Sequence, residues 1–332
     1  MRHRQTLSTA SATAVQHMQK ALAQMNLQLS NVLSDIAGFT GMRIIRAIIA
    51  GEREAKKLSE FRDPRCKKSI DVIEKSLTGN YREEHLFSIQ QGLETFDFYQ
   101  QQILNCDKKI EEALIQLGSS DLVFPKSFTE KESEGKAPRT YEKNGNIFYF
   151  NPLEQLKNIT KVDLTKIPGI EANLALKIIS EIGVDMKRWP SEKHFTSWLG
   201  LSPENKVSGG KRLSSKTKAS ANRAAEGFRL AAFSLYRSQT ALGAFLRRIK
   251  SKQGPPIAIT ATARKMAVIF YSLLTKGVEY IEIGLNYYEE KYKERVLKGL
   301  QKRAQDFGMI IVPSSNKERN DEIISDSTIS CI

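Results

Sequence analysis

With 332 residues, 51 of them Lys or Arg against 37 Asp or Glu, the chain carries a net charge of +14 and a pI near 9.5. A hydrophobic share of 40% supports real cores, while no apolar run approaches the roughly 20 residues that span a bilayer, which argues against a membrane partner. The basic excess draws polyanions. The three cysteines (Cys66, Cys106, Cys331) lack metal-type spacing, and Met1-Arg2-His3-Arg4-Gln5 lacks the apolar centre of a signal peptide, so a cytoplasmic protein is expected.

Val15, Met18, Leu22, Met25, Leu29, Val32 and Ile36 recur in alternating steps of three and four, the seam of a coiled coil. The expected helix runs to Gly38. After breaks near Pro64 and Gly79, a second long helix carries Leu86, Ile89, Leu93, Phe96, Ile103, Ile110, Leu114 and Leu117 at the same spacing, with Gln100 and Asp107 at two seam positions. An antiparallel stalk over residues 1–118 follows, paired within one chain or between two, and the pairing makes a homo-oligomer expected. An ordinary helical bundle is the alternative. At its tip, residues 36–49 repeat the pattern of residues 167–179, a glycine between apolar residues and then a helix. They form either a second nucleic-acid-touching hairpin or a tight helix corner.

Residues 119–150 turn polar and read as a linker, with Asn144-Gly145 before Ile147-Phe148-Tyr149-Phe150 hinting at a short hairpin. Residues 151–312 then form a helical DNA-binding domain. Ile167-Pro168-Gly169-Ile170 followed by an apolar helix ending at Gly183 reads as a helix–hairpin–helix element. In such elements main-chain amides at Pro168, Gly169 and Ile170 face a phosphate, and the glycine permits the close approach. The same corner also suits plain helix packing.

Ser208 precedes Gly209-Gly210 and is surrounded by Lys206, Lys211, Arg212 and Lys216. A serine attacking a phosphodiester needs in-line access and cations for the developing charge, and a basic glycine loop offers both. A flexible turn is the competing reading of the same residues. Arg223 on the next helix, and Arg264 and Lys265 on an alanine-rich helix over 257–274, extend the basic DNA-binding surface. A final helix reaches about Phe307, and residues 313–332 read as a disordered tail. No metal-ligand cluster is visible, so no metal or cofactor is expected in this chain.

Several motifs occur together and in order: Val162-Asp163-Leu164-Thr165, Ile167-Pro168-Gly169-Ile170, Trp198-Leu199-Gly200-Leu201-Ser202-Pro203, Ser208-Gly209-Gly210-Lys211, the run Arg237 to Phe245, and Ala261-Thr262-Ala263-Arg264-Lys265. The set resembles the bacterial insertion-sequence transposases that join a RuvC-like DEDD domain, a coiled coil and a serine-bearing transposase domain. The resemblance implies a mainly α protein, an antiparallel coiled-coil stalk followed by a helix–hairpin–helix-containing transposase domain. It implies Ser208 as the nucleophile of DNA strand cleavage and rejoining, DNA as partner, and a guide RNA as the further partner some members use. Magnesium belongs with the DEDD carboxylates. No apolar strand with an embedded aspartate precedes residue 100, so the expectation is an N-terminally truncated copy unable to act alone. A non-catalytic helix–hairpin–helix DNA-binding or architectural protein is the alternative.

Overall fold

The computed structural model describes residues 1–119, 147–204, 206–214, 216–277 and 284–312. The polar linker from 120 to 146 and the tail from 313 lie outside the described residues, and so do Asn144-Gly145 and Cys331. What is described is mainly α.

The heptad spacing on the two long segments brings together α1 (Arg2–Gln24) and α6 (Glu83–Ser119), which run antiparallel within one chain. Met18 and Leu22 of α1 are fully buried, as is Ile89 of α6, while Leu93 and Ile103 are nearly so. The two polar seam positions both have partners. Gln100 donates to Ser11 Oγ at 2.9 Å, and fully buried Asp107 holds the guanidinium of Arg4, with Nη2 to Oδ2 at 3.1 Å. Gly92 lets the helices close up, since a Cβ there would come 2.7 Å from Met18 Cγ.

The first helix ends sooner than its heptads. It stops at Gln24, Asn26 takes a left-handed conformation (φ 59°), and the chain turns into α2 (Leu29–Val32) and α3 (Phe39–Ile49). Asparagine tolerates that conformation because its short polar side chain bonds locally. Met25, Leu29 and Ile36 therefore leave the helix pair and, with Leu27, Ile44, Ile45, Ile48, Leu58, Ile73 and Leu77, form an apolar core at the tip that is continuous with Met18, Leu22, Ile89 and Leu93. The short helices α4 (Ala55–Ser59) and α5 (Ile70–Ser76) close this tip.

At the other end of the pair the chain continues through α7 (Pro152–Thr160), a single 3₁₀ turn at Leu164–Lys166, α8 (Ala172–Ile182) and α9 (Glu192–Trp198). A two-stranded hairpin follows, β1 (Lys206–Ser208) and β2 (Lys211–Ser214), and then α10 (Arg223–Ser234), α11 (Ala241–Gln253), α12 (Pro255–Lys276) and α13 (Gly284–Asp306). Three of these starts have a capping side chain. Asn151 accepts from Leu153 N with Pro152 in the first turn, Asn222 accepts from Ala224 N and Ala225 N, and Thr240 accepts from Gly243 N. Residues 147–150 form no strand.

The body core lies where α8, α9, α10 and α12 converge. Phe228 meets Phe195 edge-on at 6.5 Å and Phe270 at 5.3 Å, and the buried Tyr271 hydroxyl donates to Trp189 O at 2.8 Å. Trp189 is buried, whereas Trp198 keeps an exposed edge. By length and composition α12 is the one described helix that could cross a membrane, but its apolar face (Ala263, Met266, Ala267, Phe270) is spent on this core.

The stalk base belongs to the same packing. Leu114 joins the body core with Phe148 and Phe150, while Arg4 donates to Ile147 O at 2.9 Å and lies 4.0 Å over the Phe148 ring. Arg2 reaches across to Glu181 of α8 at 2.6 Å.

Candidate nucleic-acid interface

The corner at Pro168-Gly169 is built by Asp163, whose carboxylate accepts from Thr165 N and is held by Lys157 Nζ at 2.9 Å. Partial burial alone would raise its pKa, but the Thr165 hydroxyl and Lys157 outweigh burial and hold it below the ordinary value. Gly169 has φ 84°, which favours glycine. The space its missing side chain leaves is occupied by protein, not left for a phosphate. A Cβ there would stand 2.7 Å from Ala231 O and 2.9 Å from Ser234 Oγ, both at the C-terminal end of α10. Ile170 is likewise engaged internally, its side chain buried and its amide donating to Ile167 O at 3.0 Å. Pro168 is half-buried. Close packing on α10 by itself requires glycine at this position.

The tip corner that resembles it is built differently. Gly38 is extended (φ −73°) and its helix starts at once, at Phe39. The close approach is at Gly41, where a Cβ would come 2.1 Å from Ile36 O. Arg43 lies over the rings of Phe39 and Phe61 at 5.2 and 4.9 Å, and Arg46 is bonded to Asp97. Residues 36–49 thus form a tight helix corner with its cations already engaged.

Ser208 stands on an ordered hairpin rather than a loose loop. Gly209 and Gly210 adopt φ 56° and 74°, the pair of left-handed residues that a two-residue turn needs to match strand twist. The register sets Ser208 opposite Lys211 and Val207 opposite Arg212, with an irregularity between Lys206 and Val207. Directly paired residues share a face of the ribbon with Cβ atoms about 5 Å apart, so Lys211 is the cation the register brings to the hydroxyl. Ser208, Lys211, Gly209, Gly210 and Lys216 are all exposed. Among the described residues no histidine, carboxylate or amine is hydrogen-bonded to Ser208 Oγ, so the proton acceptor that activates a serine is not supplied by such a contact.

The hairpin is rooted at α9 and α10. Gly200 (φ 69°) ends α9 against the chain leading into α10, where a Cβ would meet Ser220 Cβ at 2.6 Å. Leu201 N donates to Thr196 O and Glu204 N to Lys216 O, both at 3.0 Å, and Pro203 bridges to Thr217. Sequence reasoning passed over Gly200 as part of a family motif, and its signal was a glycine directly after a helix ending in aromatics. Because the root lies beside Asn222 and the Gly169 corner beside Ala231, the two are separated by about 14 Å along α10, at ~1.5 Å per residue.

The remaining candidates are spread over other surfaces. Arg223 is exposed at the start of α10 and lies close enough to Glu181 to help hold that carboxylate's pKa down, after the larger effect of the hydrogen bond from Arg2. Arg264 is half-buried, its Nε enclosed and without a partner, whereas Lys265 is exposed and stands 4.8 Å over the Phe245 ring and 5.4 Å over Tyr288. Nothing is described of the side chains of Lys206 and Arg212. Among the described residues no three His, Cys, Asp or Glu side chains converge, so no donor set here fits the magnesium that the resemblance associates with DEDD carboxylates.

Part of the chain matches a known family. Residues 163–246, from Asp163 of the corner into α11, match the family model described as Transposase IS116/IS110/IS902 family. No curated protein and no solved structure matches the chain.

Proposed function

We propose that this chain acts on DNA as a transposase of the insertion-sequence type, binding DNA across the exposed basic surface of the body and presenting Ser208 as the strand-cleaving nucleophile. The family match over 163–246 supports the transposase role and DNA as the partner. The single observation that carries the assignment to Ser208 is the hairpin register, which holds an exposed hydroxyl at a two-glycine turn opposite Lys211. In-line attack of Oγ on phosphorus would form a phosphoserine ester and free one hydroxyl end of the strand. Lys211 would stabilise the charge that builds on the phosphoryl oxygens. The proton on Oγ must leave to a base brought by the DNA complex, because no described side chain accepts it. Trapping a covalent DNA adduct tests this directly: the adduct forms with the intact chain and is lost in Ser208→Ala, and its persistence in that variant would rule Ser208 out.

A purely architectural DNA-binding role is the second reading, favoured by that same unassisted hydroxyl. It predicts salt-dependent binding with no adduct under any condition. A guide RNA remains part of the proposal as a partner of the same basic surface, tested by whether a structured transcript co-purifies with the chain. Self-association is a further part of the proposal, through the exposed Phe87 and Phe98 on one side of α6, since the α1–α6 seam is occupied internally. Sedimentation of a Phe87→Ser/Phe98→Ser variant, expected to be monomeric, tests that placement.

A further inference from the structure

The chemistry at Ser208 uses one face of the β1–β2 ribbon and leaves the other unexplained. Side chains alternate along a strand, so Val207 lies on the face opposite Ser208 and Lys211. Lys206 pairs with Ser214 while Val207 pairs with Arg212, so β2 holds one residue more than β1 over this stretch, a bulge that re-aims a side chain. Counting back from the Lys206–Ser214 pair, Leu213 falls on the face of Val207. Both are large aliphatic residues left in solvent, Val207 61% and Leu213 70% exposed. The ribbon is therefore two-sided, with an exposed hydroxyl and ammonium on one face and two aliphatic side chains on the other.

The surroundings say what covers the aliphatic face. The turn stands clear of the body, since a Cβ built on Gly209 or Gly210 would meet nothing within 4 Å. Residues 204–218 carry Lys206, Lys211, Arg212, Lys216 and Lys218 against Glu204 alone. A second copy of the ribbon would bring like charges together, whereas a polyanion is drawn to them. Aliphatic side chains form no hydrogen bonds with phosphates or base edges. The apolar surface they match in DNA is the face of a base, which stacking covers and an opened step uncovers.

We propose that the ribbon enters duplex DNA as a wedge, with Val207 and Leu213 packed on a base at an unstacked step and Ser208 and Lys211 on the backbone beside it. The inference rests on the Ser208 reading and deepens it by naming the substrate class: a deformable step. Pyrimidine–purine steps open most readily and should be preferred. Opening the step also frees its phosphate to turn in line with Oγ.

The test uses the full chain with duplexes of repeated pyrimidine–purine steps carrying a fluorescent aminopurine, which brightens when unstacked. The intact chain is expected to brighten the probe, and Val207→Ser/Leu213→Ser to lose most of that rise. Because both side chains are exposed, that variant should keep its melting temperature, and because its cations remain, duplex affinity should fall less than about threefold. Val207→Ile/Leu213→Met should retain the rise. Formation of the covalent adduct should drop about tenfold in the double-serine variant and recover on a duplex mismatched at the step, where unstacking costs little. A hairpin that had merely lost its structure would not be rescued by the mismatch. Ser208→Ala should brighten the probe like the intact chain, so the wedge is read out separately from the nucleophile. Duplex binding with no rise, or an equal rise in the double-serine variant, overturns the wedge and leaves the Ser208 reading to its adduct test. If that variant instead changes the sedimenting species and keeps the rise, the face is a contact between copies and the wedge falls. An intact chain that binds no duplex sinks both readings.

Discussion

The tip and the body are two helical cores joined by one antiparallel pair, and they differ in how their arginines and the hairpin lysines are engaged. In the tip, Arg46 is bonded to Asp97, Arg65 to Asp63 and Lys57 to Glu54. Arg62 caps the carbonyls of Cys66 and Lys68, Arg53 donates to Ile48 O, and Arg43 lies on two rings. In the body, Lys211 and Lys216 stand exposed on the hairpin without an ion pair among the described residues, and Arg248 lies 4.2 Å over the Tyr292 ring. The lesson is that a net charge of +14 does not distribute as a uniform coat. At the tip a polyanion would have to displace carboxylates from Arg46, Arg65 and Lys57, while Lys67, Lys68 and Lys75 stay exposed there.

The comparison requires both regions to be held in one frame, and the buried Arg4–Asp107 pair is that frame. Asp107→Ala leaves a guanidinium uncompensated in an enclosed site and should lower the unfolding free energy by about 3–5 kcal/mol, read by urea titration. Next in size is the contrast in DNA affinity. Removing Lys206, Lys211 and Arg212 together should weaken duplex binding by about tenfold to a hundredfold at moderate salt, whereas Arg43→Ala/Arg46→Ala at the tip should change it by less than about twofold. Equal losses from both variants would dissolve the distinction.

A third contrast separates the two corners that look alike in sequence. Gly169→Ala combines a left-handed backbone with a Cβ 2.7 Å from Ala231 O, and should cost about 2–4 kcal/mol. Gly38→Ala, extended and with its nearest atom 3.1 Å away, should cost less than about 1 kcal/mol. The smallest effect concerns acid stability. Glu181, lowered chiefly by its hydrogen bond from Arg2, and Asp163, lowered despite partial burial, both have folded pKa values below their unfolded ones. Their contribution is complete above the unfolded carboxylate range of about 4 and is lost as pH falls through the folded values. Glu181→Gln should therefore flatten the acid limb of the stability profile slightly, since Arg2 is largely exposed and the pair is screened.

Much of the fold was legible because periodicity reports which face a helix buries. The seam positions Met18, Leu22, Ile89 and Ile103 follow from spacing alone. The end of α1 did not, because a heptad pattern continues in the letters after Asn26 has turned the chain, and Leu29 and Ile36 are as apolar in a compact tip core as in a seam. The site was legible as residue types: a serine, two glycines and cations in one run. Its form was not, since Gly-Gly suits a loose loop as well as a two-residue turn, and only pairing across the strands sets Lys211 opposite Ser208.

The amino-acid order by itself determined a basic, mainly helical chain, its heptad pair with two polar interruptions, and a serine in a cationic glycine run. The tertiary structure alone decided that those interruptions, Gln100 and Asp107, meet Ser11 and Arg4, that Gly169 packs on α10, and that Leu213 shares the ribbon face of Val207. The reason is range. Periodicity and turn chemistry act between residues a few positions apart, whereas which polar group meets which, and which space is already filled, depends on segments that come together only when the chain closes on its cores.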